Sequence, residues 1–230
     1  MSEQTAVRVG LLIPSSNTMM EVDFVRGLPP HATLHTARMF MEDTTAAGEG
    51  RMLDEFSMGA ARDIATARPD VVVFGCTSAG ALRGDDYDAE LCTRISAVTS
   101  APTLSTIQAV RSALKASGAK RIGVITPYVD ELNVKIRASI EADGIEVVGI
   151  AGLDMTENFE IARVTRRQIV DFATAALGEL QIDLCFASCT NFGAVQARTA
   201  ISEALGVPVV TSNQAVLEAT IEHLGSRVGA

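Results

Sequence analysis

The chain has 230 residues, 47% hydrophobic and 20% charged, with a formal net charge of −9, no Trp and four Cys. That is ordinary globular composition, enough for one or two domains with substantial cores. The acidic balance and scarce aromatics exclude a nucleic-acid footprint, and no apolar run reaches membrane-spanning length.

Four Cys without a secretory leader fit a reducing, cytoplasmic setting in which thiols stay free. Val7 to Ile13 reads as a strand, and Pro14-Ser15-Ser16-Asn17-Thr18 follows it. Those hydroxyls and the amide suit a helix cap or a carboxylate site, because both jobs need the same groups. His31 to Met41 reads as a second strand, and a helix is expected from Thr44 to Ala67 with Met52, Phe56 and Ala60 on one face. Val71 to Phe74 is a β-branched apolar run, a buried strand that stops at Gly75 and delivers Cys76, Thr77 and Ser78. A helix over Asp88 to Val98, a short strand over Pro102 to Ser105 and a helix from Ile107 to Ala116 closed by Gly118 complete the first half.

Arg121 to Thr126 is the next strand, with Pro127 expected as the first residue of a helix and Tyr128 beside the strand's carboxyl end. Tyr128 reads either as a phenol near a cleft or as a surface aromatic. Ile145 to Ile150 is a strand, and residues 151–164 fit no clean period and read as a loop or lid. Thr165 and Gln168 have capping-box spacing for a helix ending near Leu180, and a last helix spans Gln214 to Leu224. Arg163, Arg166 and Arg167 form the one basic cluster, a solvated helix start or a partner for a dicarboxylate.

Around Cys189 the segment I-D-L-C-F-A-S-C-T-N-F-G-A-V repeats the pattern of strand, small residue, Cys, Thr and helix start seen at Cys76. The two Cys lie 113 residues apart, as do R-V-G-L-L-I-P from Arg8 and R-I-G-V-I-T-P from Arg121. P-T-L-S-T-I-Q-A-V from Pro102 finds P-V-V-T-S-N-Q-A-V from Pro208 at an offset of 106. Three matched segments in one order predict two similar α/β halves, each giving a Cys-Thr turn to a shared cleft, rather than a solenoid. Cys92 and Cys185 fall in apolar patterns and are expected to pack. His31 and His35 sit on a strand or loop with one other His in the chain, so no metal is expected. G-E-G at 48–50 lacks the third Gly and the preceding strand of a phosphate loop, so no nucleotide cofactor is expected.

These paired turns resemble the aspartate/glutamate racemase superfamily. P-S-S-N-T from Pro14, T-P-Y-V-D-E-L-N from Thr126 and V-P-V-V-T-S-N-Q-A from Val207 look like its maleate cis-trans isomerase and arylmalonate decarboxylase branch. The likeness covers essentially the whole chain, and its motifs mark the branch better than they separate its members. It implies two pseudo-twofold lobes, each a parallel sheet flanked by helices, with the active site in the cleft between them. Lobe 1 would comprise residues 1–105 plus 215–230 and carry Cys76; lobe 2 would comprise 106–214 and carry Cys189. It further implies a homo-oligomer, a dimer, acting on a small carboxylate or dicarboxylate without a cofactor. By this resemblance Cys76 matches the nucleophile and Cys189 the proton donor. Asn17, Tyr128 and Asn158 match positions that hold the substrate carboxylates, and Ser15, Thr77, Ser78, Thr190 and Asn191 complete the expected site.

The chain departs from maleate isomerases after each Cys, where Thr77-Ser78 and Thr190-Asn191 replace less polar residues. The C-T-S turn is closer to racemase-like members and to a relative associated with ectoine use. It also resembles the oxyanion-binding turn of the decarboxylases, which have Gly where Cys76 stands. Turn hydroxyls and N–H groups can stabilise an enediolate, and a thiolate can act as base or nucleophile. Two Cys flanking one carbon make a racemase; two flanking an alkene make a cis-trans isomerase. Maleate to fumarate is the leading expectation. Amino-acid or substituted-acid racemisation, arylmalonate-type decarboxylation and non-catalytic binding of a small acid stay open.

Overall fold

In the computed structural model, which describes residues 6–228, the first apolar run becomes β1 (Val7–Pro14). The first half continues with α1 (Met20–Gly27), β2 (Ala32–Met39), α2 (Ala46–Arg51), α3 (Ser57–Ala65), β3 (Val71–Phe74), α4 (Thr77–Leu82), α5 (Asp85–Thr99), β4 (Thr103–Ser105) and α6 (Thr106–Ser117). The second contains β5 (Arg121–Thr126), α7 (Asp130–Glu141), β6 (Glu146–Gly152), α8 (Asn158–Ile161), α9 (Arg166–Leu177), β7 (Leu184–Ala187), α10 (Ala194–Leu205), β8 (Val209–Thr211) and α11 (Ser212–Val228).

Among the described residues the strands form two four-stranded sheets, ordered β2-β1-β3-β4 and β6-β5-β7-β8, with every pairing parallel. The internal repeat is therefore a repeat of topology, with Cys76 and Cys189 following the equivalent strands β3 and β7.

Both faces of the first sheet are covered, so its strands bury alternate residues in opposite directions. Val9, Leu11 and Ile13 of β1 and Val71 and Val73 of β3 pack with Phe24, Val216 and Leu224. Leu12, Val72 and Phe74 point into a larger core shared with Val124, Phe186 and Ile201 of the second half. Full burial of such a side chain contributes about 1.5–3 kcal/mol. The last helix reaches back to the first half: besides β8, which it follows, α11 runs along α6 and touches α1, β3 and β4.

Two expectations are corrected. Pro127 is not the first residue of a helix, because α7 starts at Asp130 behind an extended Val129. Instead Thr126 Oγ1 accepts from the Tyr128 N–H (3.0 Å) and donates to Asn133 Oδ1 (2.6 Å), which holds Tyr128 in a turn. Segment 151–164 is not all loop: β6 reaches Gly152 and α8 forms within it. The expected helix from Thr44 is one helical run widened by a π-turn at Met52–Phe56.

Candidate active site

Cys76 stands between β3 and α4. Gly75 makes the approach possible: its N–H donates to Leu12 O (2.7 Å), and a Cβ there would lie 2.7–2.9 Å from Met20, Ile13 and Leu12. Cys76 itself is extended (φ −145°, ψ 116°) and 4% exposed. Ser78, the second residue of α4, has its Oγ 3.9 Å from the Cys76 sulfur and donates a short hydrogen bond to Glu49 Oε1. Glu49 is fully buried on α2, and its Oε2 has no hydrogen-bond partner among the described residues.

Burial pushes the Glu49 carboxyl up to about 8; the Ser78 hydroxyl opposes that, and the charges of Glu131 and Asp43 add to it. Burial, and then the charge of Glu49, push the Cys76 thiol well above its ordinary range, while the Ala79 N–H pulls it back.

Cys189, after β7, is built differently. Its φ is +110°, a conformation that favours Gly and stores strain in any other residue. The Asn191 N–H donates to its sulfur (3.3 Å), and its own N–H donates to Ser212 Oγ (3.1 Å). The Tyr128 hydroxyl, fully enclosed, hydrogen-bonds the same sulfur. Burial raises the Cys189 thiol to about 11, and the Tyr128 hydroxyl and the N–H groups of Asn191 and Phe192 hold it back from going further. Gly152 lets β6 close on this turn, since a Cβ there would come within 2.1 Å of the Tyr128 carbonyl. Tyr128 is thus buried beside Cys189 and is not a surface aromatic.

The two turns are joined. Ser212 Oγ accepts from Thr77 Oγ1 (2.9 Å) as well as from Cys189, and Thr190 Oγ1 donates to Gly75 O (3.2 Å). The buried Asn17 accepts from the N–H groups of Met19 (3.1 Å) and Met20 (3.0 Å), which caps α1, and donates to Thr190 Oγ1 (3.0 Å). The capping reading of that loop holds for Asn17, whose amide also reaches the Cys189 turn.

Asn191 Oδ1 accepts from Thr18 and Met19, and its Nδ2 donates to Asn158 O (2.7 Å). Asn158 in turn donates to Ser16 Oγ (2.8 Å), so α8 is latched to the Cys189 turn and to the loop after β1. Ser15 is turned to the β2–α2 connection, where its Oγ accepts from Met41 N (3.1 Å).

Other candidates lie elsewhere. Arg163, Arg166 and Arg167 are exposed, with Arg163 and Arg167 paired to Glu160 and Asp171. Cys92 and Cys185 are packed, and burial pushes each thiol up to about 12. His31 and His35 are half-buried on or beside β2. Among the described residues no group of three or more His, Cys, Asp or Glu is arranged to hold a metal ion, and no helix is long and apolar enough to cross a membrane.

Sequence reasoning missed Glu49 and Ser212. A signal for the first was present: Glu49 falls three, seven and eleven residues before Met52, Phe56 and Ala60, on the face expected to be apolar. Ser212 lies in the T-S-N-Q segment already singled out by the repeat.

A family model described as arylmalonate decarboxylase matches residues 9–229. A maleate isomerase of Geobacillus stearothermophilus is 27% identical over 218 residues, 89% of this chain and 86% of that one. An arylmalonate decarboxylase of Bordetella bronchiseptica is 24% identical over 216 residues, 94% of this chain and 89% of that one. Among solved structures, a cysteine-to-alanine variant of the maleate isomerase Iso from Pseudomonas putida S16, with maleate, superposes with a TM-score of 0.88 at 26% identity, covering 95% of this chain and 92% of that one.

Proposed function

The chain belongs to the arylmalonate decarboxylase family, and within it we propose a cofactor-independent cis-trans isomerase that converts maleate to fumarate. The observation that carries this reading is a pair of buried cysteines, Cys76 and Cys189, on equivalent turns joined through Ser212. A decarboxylase with Gly in place of Cys76 would lack one of them, and maleate isomerases of similar length support the substrate.

In the proposed reaction the Cys76 sulfur adds to one alkene carbon, and the π electron pair moves to the other, which takes a proton from Cys189. The C–C bond, now single, rotates. Cys189 then recovers the proton, the S–C bond breaks, and the double bond returns in the trans arrangement. Tyr128 stabilises negative charge on Cys189 while its proton is away. The carboxylates are assigned to the neutral donors around the two turns: Asn17, Asn158 and the Thr77-Ser78 and Thr190-Asn191 segments, with Tyr128. Neutral donors follow a charge that moves between carboxylate and carbon without trapping it.

A cytoplasmic location is supported by four free, buried thiols. A dimer is supported by Val22 and Val25 of α1 and Ile221 of α11, exposed on two helices that touch; size-exclusion chromatography with light scattering tests it.

The decisive experiment is proton NMR in deuterium oxide with maleate and then a panel of small acids. Conversion of the maleate vinyl signal to that of fumarate is expected. Exchange of an α-hydrogen in a chiral acid with no action on maleate would replace this reading by racemisation. Loss of carbon dioxide from a malonate would replace it by decarboxylation.

A further inference from the structure

We infer that Glu49, acting through the Ser78 hydroxyl, takes up the Cys76 proton as that sulfur bonds to carbon, a role that rests on the isomerase reading above. The geometry gives the direction of transfer. Ser78 donates to Glu49 Oε1, so its oxygen lone pairs are left to accept from the Cys76 S–H across 3.9 Å. The chain runs from sulfur to hydroxyl to carboxylate, entirely within buried side chains.

Nothing structural requires a carboxyl here. A fully buried acid with an unpartnered oxygen is costly, and an amide or apolar side chain at this position of the α2 face would fill the space with less penalty. Its charged neighbours are Glu131 of α7 and Asp43 ahead of α2, both of which favour the protonated acid, with the thiols of Cys76 and Cys189 and the Tyr128 phenol facing the same space. Glu49 is therefore a place where a proton is stabilised once it has left the sulfur.

The step balances. In the ionised form of Glu49, populated as pH rises through about 8, the Cys76 proton passes to Ser78 Oγ as the Ser78 proton passes to Glu49 Oε1, and the electron pair left on sulfur forms the S–C bond. On elimination that pair returns to sulfur and both protons move back. Glu49 does not touch the reacting carbon; it positions the proton.

The test is the rate at which iodoacetamide alkylates Cys76, followed by peptide mass spectrometry across a pH series in wild type, Glu49→Gln and Ser78→Ala. Wild-type alkylation should rise through about pH 8, where burial places the Glu49 carboxyl. In Glu49→Gln that limb should disappear and alkylation near its midpoint should slow by roughly tenfold or more, the equivalent of at least one pH unit of thiol ionisation. A purely electrostatic role makes the opposite prediction, because removing a neighbouring negative charge would ease thiolate formation. Alkylation as fast as wild type, or faster, in Glu49→Gln would overturn the proposal. Ser78→Ala keeps the acid but cuts the path, so it should show the same slowing even if the Gln variant does not fold, and wild-type rates in it would count equally against the relay. The assay needs no substrate. Intact relay behaviour without turnover of maleate would sink the isomerase reading alone, and turnover with unaltered alkylation would sink the relay alone.

Discussion

Cys76 and Cys189 follow equivalent strands of equivalent sheets, yet the first is extended at φ −145° and the second is held at φ +110°. Their companions differ as sharply. Cys189 has three neutral donors, Tyr128 and two backbone N–H groups, each of which favours its thiolate, while the charge of Glu49 also reaches it and opposes them. Cys76 faces an acid across a serine, and burial together with the charge of that acid drives its thiol well above its ordinary range. A duplicated turn has thus been given two electrostatic settings. In the proposed reaction the donors around Cys189 suit a group that gives and retakes a proton, and the setting of Cys76 suits a nucleophile that keeps its proton until an acceptor is at hand.

The most severe way to break the comparison is to remove either sulfur. Cys76→Ser and Cys189→Ser should each lower kcat/KM for the identified substrate by about 10³-fold or more, because a hydroxyl is too weak an acid for either task. Cys92→Ser and Cys185→Ser should keep most activity, since those thiols lie in packed positions away from the turns. Near-normal turnover by either active-turn variant, measured by the same NMR assay, would end the two-thiol mechanism.

A smaller effect sharpens the contrast instead. Tyr128→Phe removes the hydroxyl from Cys189 and leaves the ring to pack, so kcat/KM should drop by roughly 10- to 1000-fold while the melting temperature barely moves. The Cys189 thiol should ionise at higher pH than in wild type, because a hydrogen bond that lowers its pKa is gone. Alkylation profiles for Cys189 that coincide in the two proteins would show that the phenol does not set this thiol.

Period and repetition made the fold legible before any coordinates. Alternating and continuous apolar runs marked β1 and β3, and the 113-residue offset of Cys76 and Cys189 anticipated two similar α/β halves, which the structure shows as two sheets of equivalent strand order. The thiols and Tyr128 stood out for the same reason, as reactive groups just past strand ends. Glu49 did not, because a single charged residue between two glycines looks like solvent-facing helix until its register with Met52 and Phe56 is counted. Ser212 was hidden more deeply. Its importance is that Thr77 and Cys189, 112 residues apart, converge on its one oxygen, and no local pattern carries that information. Pro127 misled in an instructive way: its fixed φ suits a helix start, but the Thr126–Asn133 hydrogen bond delays α7 to keep Tyr128 in a turn.

The smallest effect expected concerns stability, and it separates the two turns by pH alone. Glu49 has an ordinary carboxyl in the unfolded chain, near 4.5, and burial raises it to about 8 in the fold. For an acid raised in this sense the folded state binds the proton more tightly. The stability it contributes is fully present below the unfolded value and is lost as pH rises toward the folded one. Each pH unit in that window costs about 1.4 kcal/mol at most, so the total is on the order of a few kcal/mol. Glu49→Gln retains an acceptor for Ser78 and has no proton to lose. Its melting temperature should therefore gain on wild type steadily between about pH 5 and pH 8, and the difference should level off above that range. Asp23 and Asp88, whose carboxyls are also raised by burial, titrate in both proteins and cancel from the difference. Tyr128→Phe, which alters the other turn, removes a phenol that stays neutral throughout this window and should show no such divergence. Parallel melting curves for wild type and Glu49→Gln across the series would mean that the acid beside Cys76 is not held protonated by the fold, and the electrostatic distinction between the two turns would fail with it.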